Sequence, residues 1–230
     1  MEGVLAVIAL VAVVVSAGAI TIAAHFRTER SSEMRAWARE HGWHYTEHHP
    51  RPLEDAVLPR PVHGENARAQ HVLTGRRGQY LVTAFEQTHN ASVPDRRGTG
   101  RARHTYRVVA VRTPGPVADL EIRRRDLATT VPDHGADLGS GGVDPEFGTA
   151  FHTVGSDTEF TRAVLDHDTA AWLLADSRSR SLPVRFTGDY VLTWAPMGLD
   201  PDRALTAADY LIELVNRIPA QAWRRRTAGS

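Results

Sequence analysis

The sequence predicts an α+β protein in which an N-terminal transmembrane helix precedes one domain of antiparallel β-strands packed against about three helices. Three observations lead to this prediction. Residues 4–24 are an uninterrupted apolar run, residues 104–112 are rich in β-branched and aromatic side chains, and three other segments repeat apolar residues at helical spacing. We therefore expect a short flank at residues 1–3, the membrane helix at 4–24, the soluble domain at 25–222 and a basic flexible tail at 223–230.

The apolar run at residues 4–24 has no charged residue and only Ser16 and Thr21 as polar interruptions. A helix rising about 1.5 Å per residue makes this run just long enough for the roughly 30 Å hydrocarbon layer of a bilayer. A cleaved signal peptide is the alternative, but only three residues precede the run and none of them is basic. A soluble core helix would show a polar face, which this run lacks. The pattern favours a retained, single-pass membrane helix.

The flanking charges predict the orientation of this helix. Arginines gather on its C-terminal side, at Arg27, Arg30, Arg35 and Arg39. Because basic flanks stay on the cytoplasmic side, we expect the domain to face the cytoplasm from the cell membrane. Within the helix, small residues form a stripe that predicts a weak homodimer through close helix packing; they are Ala12, Ser16, Ala19 and Ala23.

Two residue types are absent from the 230 residues, and their absence excludes several chemistries. There is no cysteine, which removes disulfides, thiolate nucleophiles, thiolate zinc sites and iron–sulfur clusters. All 27 basic residues are arginine, which removes Schiff-base lysines, P-loop lysines and the strand lysine of protein kinases. Residues 25–125 carry 18 arginines and 11 acids, whereas residues 126–222 carry 6 arginines and 15 acids. The basic half therefore begins beside the predicted membrane helix.

The first half of the domain predicts one helix and several strands. The helix is capped at Ser31 or Ser32 and ends at Gly42, with Met34, Trp37, Ala38 and His41 on one face. A short strand at 43–47 leads to a proline-rich surface connection at 49–65. We then expect a hairpin with arms at 69–73 and 79–87, an exposed loop at 88–103, a strand at 104–112 closed by Pro114 and Pro116, and a short strand at 119–123.

The second half predicts two longer helices. A glycine-rich loop at 129–146 leads to a strand at 147–154. Asp157 caps a helix that reaches residue 175, with a buried stripe of Phe160, Val164, His167, Ala171 and Leu174. A hairpin follows, with arms at 182–186 and 190–194. Asp200 then caps the last helix, Pro201 is its first residue, and its core face is Leu205, Ala208, Ile212 and Val215.

The two polar loops match no ligand-binding signature. The loop at 88–103 has four arginines but no aromatic residues on which bases could stack, so we expect no nucleic-acid partner. The glycines at 139–142 do not lead into a helix start, as a phosphate loop requires. The aspartates around them do not have the spacing of an EF-hand.

Several segments together resemble a known group of proteins. They are MRAWAREHGWHY, HVLTGRRGQYLVTAFE, HTYRVVAVRTPGP, FGTAFHTVGSDTEFTRAVLDHDTAAWLL and LTWAPMGLDPDRALTAADYLIELVNRIP, in addition to the N-terminal anchor. In this combination the chain is similar to a family of uncharacterised actinobacterial membrane-anchored proteins, and the resemblance covers nearly the whole sequence. It rests on core residues, turns and caps, so it implies no catalytic residue and leaves the function open.

Histidines are the remaining candidates for chemistry. Strand alternation puts His44 and His48 on one face, where two imidazoles could bind zinc, although Glu47 would point away and the run can equally be solvated. His167 lies between Asp166 and Asp168, but adjacent helical residues point in different directions, which disfavours a general base oriented by a carboxylate. We predict no catalytic residue and no cofactor.

These observations favour a non-enzymatic interaction or scaffold module at the inner face of the membrane, with the bilayer and an unidentified protein as partners. The alternatives are a hydrolase or metal-dependent enzyme that uses histidine and aspartate, and a domain that binds lipid or a small ligand in an apolar cavity between sheet and helices. Aromatic and cationic residues predict contact with the membrane interface; they are Arg27, Arg30, Trp223, Arg224, Arg225 and Arg226.

Overall fold

A computed structural model of the protein describes residues 25, 28–54, 56–95, 98–127 and 145–223. These residues form a mixed α+β fold in which helices pack on an antiparallel sheet, as predicted. The strands are β1 His44–His49, β2 Glu65–Arg77, β3 Tyr80–Asp95, β4 Gly98–Arg124, β5 Phe151–Gly155 and β6 Val184–Ala195. The helices are α1 at residues 28–40, α2 Pro145–Ala150, α3 Thr158–Val164, α4 His167–Ala175 and α5 Pro201–Arg217.

The predicted membrane helix lies outside these residues. Residues 4–24, Arg27 and the arginines at 224–226 are not among the described positions. Within the part of the chain that the structure describes, no helix is both long and apolar enough to cross a membrane.

The sheet is organised around β4, its longest strand. The first four strands pair in chain order, and β4 also pairs with β5 and β6. β3 pairs with the first half of β4 and β5 with its last residues, whereas β6 pairs with the middle and later part, from Arg107 to Ile122. β4 therefore joins the early hairpins of the chain to its later, helix-rich half.

The helices cover one face of the sheet and bury most of the core. Tyr210 and Leu211 of α5, Phe147 of α2 and Leu173 of α4 are all buried there. They pack in one cluster with sheet residues such as Phe186. At about 1.5–3 kcal/mol for each fully buried large apolar side chain, this face is the main source of stability.

The proline-rich connection covers the opposite face of the sheet. It was predicted to be an irregular surface segment, and its burial was not predicted. Its residues Leu53 and Val62 are buried against Phe85, Val108 and Leu192 of the sheet. Prolines prevent this segment from pairing as a central strand, yet its apolar side chains still fill a second core. Both faces of the sheet are thus protected from water.

Local capping chemistry is confirmed at three predicted sites, whereas the cap predicted at Ser31 or Ser32 is wrong because residues 28–30 are already helical. Gly42 has a φ of +69°, and the N–H of Trp43 donates to the carbonyl oxygen of Ala38 at 2.7 Å, which is a glycine-terminated helix end. The carboxylate of Asp157 accepts from the backbone N–H of Glu159 and Phe160 at 2.8 and 2.9 Å. Asp200 accepts from the N–H of Arg203 at 2.9 Å, with Pro201 at the first helical position.

The predicted exposed loop at residues 88–103 is wrong. β3 continues to Asp95 and β4 begins at Gly98, and the two strands stay in register to that end. β4 also runs through Pro114 and Pro116, so the strands predicted at 104–112 and 119–123 are one strand. The prolines lie where its register with β6 shifts, between Arg112 and Val117, so their missing N–H groups interrupt no ladder. The long pairing of β3 with β4 thus keeps the polar residues at 88–103 in β structure.

Three predictions in the second half also need correction. The strand expected from residue 147 begins with α2 and becomes β5 only at Phe151. The helix expected from 157 to 175 is two helices, because Asp166 caps a new start by accepting from the N–H of Thr169 at 2.8 Å. The hairpin expected at 182–194 is the single strand β6. Its turn-like Gly188, with a φ of +58°, pairs with Val117 where β4 bends.

The buried faces of α4 and α5 differ from the predicted ones. His167 and Ala171 are exposed, because the new helix start rotates α4 so that Thr169, Ala170 and Leu173 are buried instead. In α5, Ala208 and Val215 are buried as predicted, whereas Leu205 and Ile212 lie at the boundary. The described residues also contain five α-helices rather than three.

Candidate functional site: a polar pocket beside the start of α1

A polar pocket of about 700 Å³ lies beside Ser31 in the first described turn of α1, against residues of β1, β2, β3 and β4. Every side chain in its lining is polar. The lining is Ser31, Glu47, His48, Asn66, Arg68, Gln70, His71, Thr88, His89, Asn90 and Arg103. A second cleft, of about 430 Å³, lies between α3 and the end of the described chain and is lined by apolar and charged residues such as Phe160, Ala163 and Arg162.

An ion pair next to the pocket fixes the start of α1 on the sheet. Arg30 donates from Nη2 to Oε2 of Glu86 at 2.7 Å and to the carbonyl oxygen of Leu199 at 3.2 Å. The N–H of Leu199 donates to the same carboxylate oxygen at 3.1 Å. The Glu86 side chain is only 11% exposed, so these donors stabilise a nearly buried charge. A Cβ at Gly198 would lie 2.8 Å from Nη2 of Arg30, so a larger residue there would displace the guanidinium group from its present position.

Two bulges in β2 shape the inner wall of the pocket. The register of β2 with β3 shifts between Glu65 and Arg68 and again between Gln70 and Leu73. Asn66 and His71 lie in these shifts, with φ angles of +55° and +52°, in the left-handed region that glycine favours. A bulge re-aims the side chain that it carries, and such backbone strain is characteristic of binding and catalytic sites.

The strained His71 is held among polar groups. It is 8% exposed, and its Nδ1 lies 2.9 Å from the hydroxyl of Tyr45. Burial lowers the pKa of His71, and the carboxylate of Glu86 partly offsets this effect. Burial also favours the neutral form of Tyr45 and therefore raises its pKa. At neutral pH this wall therefore presents an uncharged imidazole and an uncharged phenol, both able to donate and accept hydrogen bonds.

A second buried histidine, His89, completes the lining. It is 6% exposed, and its Nδ1 has no hydrogen-bond partner among the described residues. Its ring stacks on His104 and Tyr106, with centroids 5.6 and 5.8 Å away. A Cβ at Gly64 would lie 2.3 Å from Cδ2 of His89, so only glycine fits against the ring. Burial lowers the pKa of His89, and the neighbouring His104 lowers it further.

Two arginines on one face of the sheet supply the positive charge of the pocket. Arg68 lies opposite Thr88 on the neighbouring strand, and Arg103 lies opposite Asn90. Directly opposed residues share a face, as do Thr88 and Asn90, two positions apart, so both guanidinium groups lie on the same side. Both side chains are exposed, and neither has an acidic partner among the described residues.

The predicted zinc residues only partly belong to this pocket. His48 is in the lining, whereas His44 is exposed outside it, with Nε2 3.2 Å from the hydroxyl of Thr46. Nε2 of His48 lies 3.9 Å from Oε1 of Glu47. Across the described ranges, no group of three or more histidine, aspartate or glutamate side chains has the arrangement of a metal site. The expectation of no metal site, with His44 and His48 as the weak zinc candidates, stays untested.

The other sequence candidates have structural roles. Asp166 caps α4 and His167 is exposed at its first turn. Trp223 is 9% exposed and packs into the helix-side core, so its indole is not at the surface. Arg30 is 41% exposed but bound to Glu86. The predicted contact of Arg27 and of Arg224, Arg225 and Arg226 with the membrane lies outside the described residues.

Sequence reasoning missed the residues that make the pocket. Arg103 is distant in the chain from Arg68 and His71, and only the register of β2, β3 and β4 brings it beside them. One signal was available: polar and apolar side chains alternate from Asn66 to Gln70, and the alternation of a regular strand then breaks at His71. Such an interruption is typical of a bulge.

Comparisons with known proteins give a likeness of fold. No protein-family model matches the chain. No curated protein matches it either. Among solved structures, the chain is similar to the crystal structure of the mycobacterial trehalose monomycolate transport factor A, TtfA, with a TM-score of 0.54 and 13% sequence identity. The match covers 82% of this chain and 96% of that one, so the likeness extends over nearly the whole neighbouring structure.

Proposed function

We propose that this protein is a non-enzymatic binding module, held at the inner face of the cell membrane by residues 4–24, that takes part in lipid handling. The observation that carries the proposal is the position of the polar pocket. Arg30 and Ser31, beside and in the pocket, follow the predicted membrane helix by only a few residues. Because an extended chain spans at most about 3.5 Å per residue, the pocket mouth lies within roughly 20 Å of the end of that helix.

The filled core favours binding at the surface over binding inside. Large side chains such as Tyr210 and Phe186 occupy the space between sheet and helices. This argues against the apolar internal cavity that a buried lipid tail would need. A lipid would therefore be recognised through its polar headgroup, while its tails stay in the bilayer.

The exposed surface favours a polar ligand over an apolar protein partner. Among the described residues, the exposed large apolar side chains are Val57 and Leu127, in different segments of the chain. Extended apolar docking patches are several hundred Å² in area, which two such side chains do not supply. The polar pocket offers a larger and more specific surface.

The fold likeness agrees with this role. The similar structure is of a factor named for transport of trehalose monomycolate. At 13% identity the likeness carries the fold and no residue of a site. It supports lipid handling as the broad class and leaves the lipid to be identified.

Co-purification of lipid tests the proposal. The full chain, extracted from membranes in a mild detergent and analysed by mass spectrometry, should carry a bound polar lipid in excess of an unrelated single-pass protein prepared in the same way. Removal of residues 1–24 should move the protein out of the membrane fraction. A lipid content equal to that of the unrelated protein would contradict the proposal.

A further inference from the structure

The positive charge of the polar pocket exceeds its negative charge. Arg68 and Arg103 are in the lining with no acidic partner among the described residues, whereas Glu47 is the lining carboxylate. The carboxylate of Glu86, next to the pocket, is already bound by Arg30 and by the N–H of Leu199. Two cations without partners at the mouth of a concave site attract an anion.

The two guanidinium groups are placed to hold one anion from two sides. Arg68 is on β2 and Arg103 is on β4, with Thr88 and Asn90 of β3 between them on the same face. Neighbouring strands are about 4.8 Å apart and each residue advances about 3.3 Å along a strand, so the backbones of the two arginines are roughly 12 Å apart across the sheet. Long guanidinium side chains can converge over that distance, and their planar donors match the oxygens of a phosphate.

The inner wall supplies hydrogen bonds to the remainder of such a ligand. The bulge at His71 turns a polar ring towards Tyr45 and the pocket lining, in a strained backbone conformation that an ordinary strand position would not need. Gln70 and Asn90 add amide groups that donate and accept. The pocket combines charge at the mouth with neutral polar groups behind it, which suits a phosphate ester that also carries hydroxyl groups.

We infer that this pocket binds the phosphate ester of an anionic ligand, with Arg68 and Arg103 as its charge partners. The inference rests on the proposed lipid role and names the class of headgroup. A phospholipid headgroup and a soluble phosphate ester share this chemistry, and the experiment below separates them.

Calorimetric titration of the full chain in non-ionic detergent tests the assignment. The probes are dihexanoyl phosphatidylglycerol, glycerol 3-phosphate and trehalose. The variants are Arg68→Ala and Arg103→Ala. The matched control is Arg76→Ala, which removes an exposed arginine of β2, the strand of Arg68, outside the pocket. We expect saturable binding of the phospholipid, weakened at least about tenfold by Arg68→Ala and by Arg103→Ala and unchanged by Arg76→Ala.

Each outcome bears on the pocket or on the lipid role. If glycerol 3-phosphate binds with the same arginine dependence and the phospholipid does not, the phosphate site stands and the lipid role fails. If the phospholipid binds but all three variants weaken it equally, the assignment to the pocket is overturned while the lipid role stands. If only trehalose binds, the pocket is a neutral sugar site. If no probe binds, the inference is wrong.

Discussion

His71 shows how one residue can combine backbone strain, burial and a titratable group. Its φ of +52° is a conformation that Asn and Gly accept more readily than other residues. Its ring is nevertheless buried and bonded to Tyr45. Histidine is more frequent at positive φ than most residues other than glycine, but most histidines do not adopt it, so its conformation could not be predicted from the sequence. Only the pairing of β2 with β3, whose register shifts between Gln70 and Leu73, reveals it.

Because the pKa of His71 is lowered, we expect the protein to become less stable as the pH falls. In the unfolded chain the imidazole takes up a proton near its ordinary pKa of 6.5, whereas the folded protein keeps the ring neutral. Unfolding therefore takes up protons below pH 6.5, and stability decreases as the pH falls through the folded pKa. The charged and titratable groups that act on His71 are Glu47 and His48 of β1, Arg30 of α1 and Glu86 of β3.

Urea unfolding of the full chain in detergent, followed by tryptophan fluorescence at pH 7.5 and 5.5, measures this effect. We expect His71→Asn, which keeps a residue suited to positive φ, to lose less stability between the two pH values than the unmodified protein. His89 retains part of the dependence, because its pKa is lowered as well. The exposed His41→Asn is the control, and an equal loss in all three proteins would contradict the prediction.

At the level of elements, capping residues could be read from the sequence and pairing partners could not. Asp157, Asp200 and Gly42 act through neighbours within a few residues, so their roles follow from local chemistry. Whether residues 187–189 reverse the chain or continue a strand depends on β4, which pairs along the whole of β6. The same dependence explains why Arg68 and Arg103 could not be identified as neighbours.

The attachment of α1 to the sheet predicts a measurable loss of stability. Arg30→Ala removes the guanidinium from the nearly buried Glu86 carboxylate, and a hydrogen bond to a charged group contributes about 1.5–3 kcal/mol. Because Arg30 is partly exposed, we expect a loss near the lower end, about 1.5 kcal/mol, in the free energy of unfolding. Arg39→Ala, an exposed arginine of the same helix, should change it by less than about 0.5 kcal/mol.

A second substitution separates this contact from helix propensity. Gly198→Ala places a Cβ against the Arg30 and Glu86 side chains without changing α1. If the ion pair is responsible, the double variant should lose less stability than the sum of the losses in Arg30→Ala and Gly198→Ala. Full additivity would show that the two residues act independently.

At the level of the whole molecule, the arginines after residue 24 predict the orientation of the chain. Because we expect the domain to face the cytoplasm, a fluorescent protein fused after Ser230 should be fluorescent, and alkaline phosphatase fused at the same place should be inactive. Arginines inserted before residue 4 should reduce this preference by balancing the flanks. An active phosphatase fusion in the unmodified protein would reverse the predicted topology.

The position of Trp223 constrains how the domain can lie against a bilayer. Its carbonyl oxygen would be 2.6 Å from a Cβ at Gly115, so the described chain ends beside that part of β4. At the other side, Arg30 of α1 is bound to Glu86, which lies opposite Arg107 of β4. At about 3.3 Å per residue, these two points are about 25 Å apart along the strand. If the helix at 4–24 and the arginines at 224–226 both meet the membrane, they act as two separate tethers. β4 would then lie along the bilayer, and the domain would rest on its side instead of standing on a single stalk.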